Sequence, residues 1–271
     1  MRLSLIALAC LVAAPALGQE RVVVAGSALA EIVAALGASD RLVGRDSTVS
    51  YPEALTALPD VGYMRALSAE GLLSLGPDLI LADTDAGPQA TLDLVAATDV
   101  PVVRVNGGYT AEGVIDRIET VAQAMQLDPA PLVGQVQSRF AALAEARETA
   151  APVSAIFVLS AAGGRILASG QGTAADGILH LAGAQNAITG FEGYRQLTDE
   201  AIIAAAPQAI VMMDRSGDHA LGDADILAHP ALGLPPAAQA RRIVRLDGAF
   251  LLGFGPRTPD AARALMDALE D

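Results

Sequence analysis

The sequence predicts an α/β protein made of two lobes of the same topology that are joined by one long helix. Two observations lead to this prediction. Short apolar strands alternate with helical stretches, which is typical of parallel βαβ units, and the second half of the chain repeats motifs of the first. Because ligands of two-lobed proteins tend to bind at the interface, we expect a ligand site in the cleft between the lobes.

The strands of the first half are short runs of aliphatic and β-branched residues. Such runs predict strands at 21–25, 43–44, 79–82 and 102–105. After the first run, a turn at Gly26 leads into an amphipathic helix that is expected to end near Leu36. Each later strand is preceded or followed by a helical pattern, so the first lobe is predicted to hold a parallel sheet.

A long helix without an adjacent strand is predicted near the middle of the chain. The stretch DPAPLVGQVQSRFAALAEARETA, residues 128–150, has apolar residues at helical spacing. Asp128 and Pro129 predict its start, as a cap and a first-turn proline. The predicted organisation is therefore a first lobe at 19–126, a connecting helix at 127–150 and a second lobe at 151–271.

An internal repeat supports two equivalent lobes. Residues 26–44 align without gaps on residues 172–190, and three glycines of the first copy fall on glycines of the second. Residues 62–81 resemble residues 193–212 once one residue is dropped. Because only two copies are present, a solenoid is excluded.

The beginning of the chain has the pattern of a secretory signal peptide, which we place at residues 1–18. Arg2 is followed by an apolar run and then by small residues at Ala14, Ala16 and Gly18. The run is shorter than a membrane span requires. The chain has one cysteine, Cys10, which lies inside this run. The mature chain is therefore expected to lack thiols and disulfides and to reside in the bacterial periplasm.

Charge and motif content exclude several classes of function. The formal net charge is −14, which argues against nucleic acid and anionic membrane surfaces as partners. No nucleophile elbow, no Ser-His-Asp arrangement and no cluster of metal ligands is found in the sequence, so we expect a non-enzyme. The mature chain is expected to be a monomer that does not insert into a membrane.

Three stretches of the sequence resemble the periplasmic haem-binding proteins of bacterial haem ABC importers. They are GYMRALSAEGLLSLGPDLIL, ASGQGTAADGILHLAGAQNAITGFEGYRQLT and LLGFGPRTPDA, and the resemblance runs over roughly residues 21–268. It implies a type III periplasmic binding protein with two Rossmann-like lobes, a single backbone helix and restricted domain motion. It also implies that haem b is carried in the cleft to a dimeric inner-membrane permease and its ATPase. A cobalamin or ferric-siderophore carrier of the same architecture is the alternative.

The resemblance and the chemistry of tyrosine together point to Tyr63 as the axial ligand of haem iron. Tyrosine is a known haem ligand, but a free phenol has a pKa of about 10, so a phenolate needs the metal and a nearby cation. Arg65 and Arg257 are the candidate cations. The resemblance implies that Arg257 reaches Tyr63 from the second lobe, and Arg65 is expected to contact either the phenolate or a haem propionate. No histidine accompanies this tyrosine, so we expect five-coordinate iron. A turn residue that packs on the lobe edge is the other interpretation of Tyr63.

Three further residues are candidate contacts of the porphyrin. Met64 and Phe254 flank the resembling blocks, and each is interpreted either as part of the haem pocket or as plain core. Tyr194 occupies the position that the repeat relates to Tyr63. It is expected to contact haem from the opposite lobe or to serve packing alone.

Two glutamates at equivalent positions of the repeat are candidate docking residues. Glu70 and Glu200 each lie in the first turn of a predicted helix. Acidic residues there offset the helix dipole, which is the simple interpretation. The resemblance implies in addition that the pair binds arginines of the two permease subunits.

Overall fold

The computed structural model describes residues 21–214 and 222–270. The predicted signal peptide at 1–18, and Cys10 within it, lie outside the described residues. Within the described residues, no helix combines the length and the hydropathy that crossing a membrane requires.

The first lobe is built on a four-stranded parallel sheet with the strand order β2-β1-β3-β4. Its strands are β1 (Val22–Ala25), β2 (Leu42–Arg45), β3 (Leu79–Asp83) and β4 (Val102–Val105). Its helices are α1 (Ser27–Ala35), α2 (Ala69–Leu73), α3 (Gln89–Ala96) and α4 (Ala111–Met125). The four predicted strands are confirmed. Every residue of the central strand β1 is buried, as expected for a strand of a parallel sheet that is covered on both faces, and its sequence is accordingly apolar throughout.

The second lobe is built on a six-stranded mixed sheet with the order β10-β9-β5-β6-β8, and β7 pairs with β5. Its strands are β5 (Ser154–Ser160), β6 (Leu167–Ser169), β7 (Gln185–Asn186), β8 (Tyr194–Gln196), β9 (Ala209–Asp214) and β10 (Ile243–Asp247). Its helices are α6 (Ala174–Leu181), α7 (Asp199–Ala205), α8 (Asp223–Ala228), α9 (Pro236–Gln239), α10 (Gly248–Leu252) and α11 (Thr258–Glu270). The strands β6 and β8 are antiparallel to their neighbours, a feature that the alternating pattern does not predict.

One helix, α5 (Ala130–Arg147), connects the two sheets and packs against α4 and α11. The carboxylate of Asp128 accepts a hydrogen bond from the N–H of Ala130 at 3.0 Å, so the predicted start is close to the observed one. The helix ends at Arg147, before the predicted limit at residue 150. The structure thus has the expected arrangement of two α/β lobes on a single helical backbone.

A single apolar core runs through both lobes. It contains Leu29 of α1, Val136 of α5, Phe157 of β5 and Leu265 of α11, all of them completely buried. A separate apolar cluster covers another part of each lobe. Because separating the lobes would return part of the shared core to water, the hydrophobic effect opposes large domain movements.

The internal repeat has a structural counterpart in the backbone. Gly37 and Gly183 follow the equivalent helices α1 and α6, and their φ angles are 77° and 80°. The helices α2 and α7 are also equivalent, since Ser68 caps the first and Thr198 caps the second by accepting a backbone N–H. The two lobes therefore share local geometry and a four-stranded parallel arrangement, β2-β1-β3-β4 in the first and β7-β5-β9-β10 in the second, to which the second lobe adds β6 and β8.

Replacing Gly37 by alanine should destabilise the protein through backbone strain alone. A Cβ atom at this position would meet nothing within 4 Å, but φ lies in the left-handed region, where a side chain costs about 1–2 kcal/mol. We expect a lower urea midpoint with an unchanged m-value. Gly134→Ala is the matched control because it too has nothing within 4 Å but lies inside α5, where alanine should stabilise by about 0.5–1 kcal/mol. An unchanged or higher midpoint for Gly37→Ala would contradict the assignment.

Candidate functional site

Aromatic side chains concentrate where the two lobes face each other. The ring of Tyr51 in the first lobe lies 3.6 Å from the guanidinium of Arg257 in the second. The ring of Tyr109 contacts the edge of the Phe254 ring, with 5.1 Å between the ring centroids. Two of the four tyrosines of the chain therefore make ring contacts from the first lobe to the second.

Tyr63 lies on the rim of this cleft, beside a cation of its own lobe. It begins a turn that is closed by the N–H of Ala66, and 45% of its surface is exposed. Arg65 donates one hydrogen bond to the Tyr63 hydroxyl at 2.8 Å and another to a carboxylate oxygen of Asp85 at 2.6 Å. Burial opposes the charge on the guanidinium, but these two hydrogen bonds outweigh it and raise the pKa of Arg65. The phenol therefore has a permanently charged neighbour.

Tyr194, in the second lobe, lies close enough to Arg65 for the charge of that arginine to act on its phenol. Burial raises the pKa of its phenol, and hydrogen bonds with the Thr173 side chain and the Ala175 backbone oppose that rise. The positive charge of Arg65 acts in the same direction as those hydrogen bonds. The two tyrosines that the repeat relates therefore both feel the charge of one guanidinium, but the hydrogen bond from Arg65 goes to Tyr63.

Arg257 makes a different set of contacts from the one implied by the resemblance. Its Nε and Nη2 atoms donate to the two carboxylate oxygens of Glu31 at 2.8 and 2.6 Å, and its guanidinium also lies 5.1 Å from the Phe250 ring. Arg257 does cross to the first lobe, but the residues that it contacts there are Glu31 and Tyr51. In this structure the cation at the Tyr63 hydroxyl is Arg65.

An open cavity of about 370 Å³ adjoins this ion pair and is lined by Ser50, Tyr51, Asp247, Phe250 and Arg257. Two aromatic rings, a carboxylate and a guanidinium therefore surround one space between the lobes. Such a lining suits a flat apolar ligand that carries charged groups at its edge.

The two predicted apolar contacts lie in the core. Met64 is 9% exposed and packs in a cluster of the first lobe, and Phe254 is 1% exposed and belongs to the core that both lobes share. Of the two interpretations given above, the structure describes core packing for both residues.

The two predicted docking residues lie at equivalent exposed positions. Glu70 and Glu200 occupy the first turns of α2 and α7. Hydrogen bonds from its own backbone N–H and from Thr198 lower the pKa of Glu200. Both glutamates are exposed to solvent.

The sequence analysis missed four residues that shape the cleft: Glu31, Tyr51, Asp85 and Tyr109. A signal was present for Glu31, which is the one charged residue of the helix SALAEIVAA and lies among buried positions. A buried carboxylate requires a partner. The scarcity of tyrosine in the chain was the signal for Tyr51 and Tyr109. The described residues contain no group of three or more histidine, cysteine or acidic side chains that would hold a metal ion.

Replacing Glu31 by glutamine should change how stability depends on pH. Burial raises the pKa of Glu31 even though Arg257 opposes the shift. Because the folded state holds the Glu31 proton more tightly than the unfolded state does, this group stabilises the fold fully at a pH below its unfolded pKa of about 4.5. That stabilisation is lost as the pH rises through the pKa of the folded state. We therefore expect Glu31→Gln to remove part of the fall in unfolding free energy above pH 4.5, measured by urea unfolding at several pH values.

Glu200→Gln is the comparison for this experiment because the pKa of Glu200 is lowered. The stability that Glu200 contributes is lost only as the pH falls below its unfolded pKa. The variant should therefore leave the dependence of the unfolding free energy on pH unchanged above pH 4.5. A profile for Glu31→Gln that is identical to the wild-type profile would contradict the assignment.

The chain matches a known protein family. The family described as "Periplasmic binding protein" matches residues 22–249. The structure is similar to that of BhuT, a periplasmic haem-binding protein solved with two haems, at 43% identity, with a TM-score of 0.90 and coverage of 94% of this chain and 99% of that one. It is also similar to the periplasmic haem-binding protein RhuT from Roseiflexus sp. RS-1, at 35% identity, with a TM-score of 0.88 and coverage of 93% and 98%.

One relative is named for a different ligand. The vitamin B12-binding protein of Yersinia pseudotuberculosis is 35% identical over 101 residues, which are 37% of this chain and 36% of that protein. The family match and the two structural matches cover most of the chain. The chain therefore belongs to the periplasmic binding protein family and has the type III architecture of two α/β lobes on one helical backbone.

Proposed function

We propose that the protein captures haem in the inter-lobe cleft, with Tyr63 as the axial ligand, and delivers it to an inner-membrane ABC permease. The observation that carries this proposal is the hydrogen bond between the Tyr63 hydroxyl and Arg65 on the rim of the cleft. The names of BhuT and RhuT as periplasmic haem-binding proteins support it. On this proposal the predicted signal peptide exports the protein to the periplasm, where it acts as a monomer and performs no catalysis.

The chemistry of the cleft suits ferric haem b as cargo. A phenolate oxygen is a hard ligand that binds Fe(III), and the iron displaces the phenol proton as it binds. The Arg65 guanidinium stabilises the same anion by charge and by its hydrogen bond of 2.8 Å. Tyr194 approaches from the other lobe and offers a second polar contact to the ligand. The Nε and Nη2 atoms of Arg257 are engaged by Glu31, so its Nη1 remains for a haem propionate.

A vitamin B12 carrier is the second candidate because a relative of that name is 35% identical over 101 residues. A ferric-siderophore carrier has the same architecture. The phenol–guanidinium pair at Tyr63 favours ferric haem over both, since phenolate is a recognised haem ligand. Parallel titrations with hemin and cyanocobalamin separate the first two candidates.

The mature protein should bind hemin in a saturable 1:1 titration with a high-spin ferric Soret spectrum. Tyr63→Phe removes the ligand oxygen, so we expect loss of that spectrum and at least a tenfold weaker affinity, equivalent to about 1.4 kcal/mol. The measurement is absorbance titration of both proteins at the same pH and salt concentration.

Tyr51→Phe is the matched comparison, because Tyr51 and Tyr63 are both 45% exposed. Tyr51 contacts Arg257 through its ring, which phenylalanine keeps, so the ferric spectrum should persist. If Tyr51→Phe loses the spectrum and Tyr63→Phe retains it, the ligand assignment is wrong. If the wild type prefers cyanocobalamin, the haem proposal itself fails.

Combined replacement of Glu70 and Glu200 by alanine should abolish haem uptake by the intact importer and leave haem affinity unchanged. The two exposed carboxylates lie on equivalent helices, so they are matched to a partner with two equivalent subunits. Uptake is measured as growth on haem iron, and affinity by titration of the purified variant.

Glu112→Ala is the matched control, since Glu112 is an exposed acidic residue in the first turn of α4. It has no counterpart in the repeat and should retain uptake. Normal uptake by the double variant would remove the two glutamates from the docking surface.

A further inference from the structure

We propose that Asp85 is a positioning residue that makes the Tyr63 site select trivalent over divalent metalloporphyrins. This inference rests on the proposed function and adds a specificity-determining residue to it. Asp85 accepts a hydrogen bond from Arg65. It acts through Arg65, which donates to the Tyr63 hydroxyl and to the Asp85 carboxylate at the same time.

The first step is the geometry of these three side chains. Two nitrogens of one guanidinium serve two oxygens, with Nη1 at 2.8 Å from the phenol and Nη2 at 2.6 Å from the carboxylate. Because the guanidinium is planar and rigid, fixing one side of it orients the other. The carboxylate therefore determines where the cation stands relative to the phenol.

The second step is that the loop of Asp85 is joined both to strand β3 and to the turn that carries Tyr63. Asp85 follows β3 by two residues, and its N–H donates to the carboxylate of Asp83, the last residue of that strand. Two backbone hydrogen bonds join the loops: Gly87 donates to Met64 at 2.8 Å and Leu67 donates to Gly87 at 2.9 Å. The rigid sheet thus holds the turn that carries the ligand.

The third step is a count of charge at the bound metal. Tyr63 as phenolate, Arg65 and Asp85 together carry one negative charge. A trivalent metal in a porphyrin ring has a core charge of +1, and a divalent metal has a core charge of zero. The trivalent complex is therefore neutral and the divalent complex keeps a net negative charge. Without Asp85 the neutral complex would be the divalent one, so the carboxylate shifts the preference of the site towards trivalent metals.

The experiment compares gallium(III) and zinc(II) protoporphyrin IX, which differ in core charge and undergo no redox change under assay conditions. Fluorescence titration gives the ratio of their Kd values for the wild type and for Asp85→Asn. Because the three side chains are partly exposed, and 44% of the Asp85 side chain is accessible, solvent screening moderates the effect. We expect the preference for gallium to fall by about threefold or more in the variant.

Two further variants separate charge from folding. Asp85→Glu keeps the carboxylate and should keep most of the gallium preference. Asp267→Asn removes the carboxylate from another exposed Arg–Asp pair, Arg263–Asp267 at 2.7 Å, and should change nothing. A second measurement uses haem itself, whose midpoint potential should rise in Asp85→Asn because a negative charge near the iron is lost.

The outcomes distinguish this inference from the proposed function. An unchanged or increased gallium preference in Asp85→Asn, or an equal loss in Asp267→Asn, overturns the role of Asp85 and leaves the haem proposal intact. If the wild-type protein binds neither porphyrin, the proposed function fails and the inference fails with it. Normal haem binding by the wild type, together with a raised midpoint potential in Asp85→Asn alone, supports both.

Discussion

The carboxylate of Glu31 imposes the constraint on which the relative placement of the two lobes depends. It is 6% exposed, and a buried charge without a partner costs several kcal/mol. The cation that compensates it, Arg257, belongs to the other lobe and is about as distant in sequence as the chain allows. Moving the lobes apart would leave this carboxylate uncompensated and would expose the core that they share. The cleft is therefore preorganised, which lowers the entropic cost of binding.

The repeat also explains why only one of the two related tyrosines has an arginine at its hydroxyl. In the first copy Arg65 follows Tyr63 by two residues within a turn, and its guanidinium returns to the phenol. In the second copy Arg195 directly follows Tyr194 within β8, where successive side chains point to opposite faces. The guanidinium of Arg195 accordingly lies over the ring of Phe191, 5.2 Å from its centroid. A shift of one position in the sequence thus gives the arginines of the two copies different partners.

Much of the fold was predictable from the sequence, because local patterns determine it. Strands such as β1 are continuous apolar runs, and the proximity of Arg65 to Tyr63 follows from their spacing of two residues. The partner of Arg257 was not predictable, since a contact between residues 226 positions apart leaves no local pattern. The antiparallel strand β6 was missed because three residues carry no clear periodicity. Asp85 looked like an ordinary loop residue, and only the fold brings it to Arg65.

The backbone of the turn at Tyr63 is held by hydrogen bonds that do not involve its side chains. The N–H of Ala66, the N–H of Leu67 and the carbonyl of Met64 all have main-chain partners, and the cap of α2 at Ser68 follows immediately. Side chains at positions 63 and 65 can therefore be exchanged during evolution without displacing Glu70. Under the function proposed above, a lineage could acquire a new cargo at these two positions and keep its existing transporter, and the similar proteins named for haem and for vitamin B12 fit such a history.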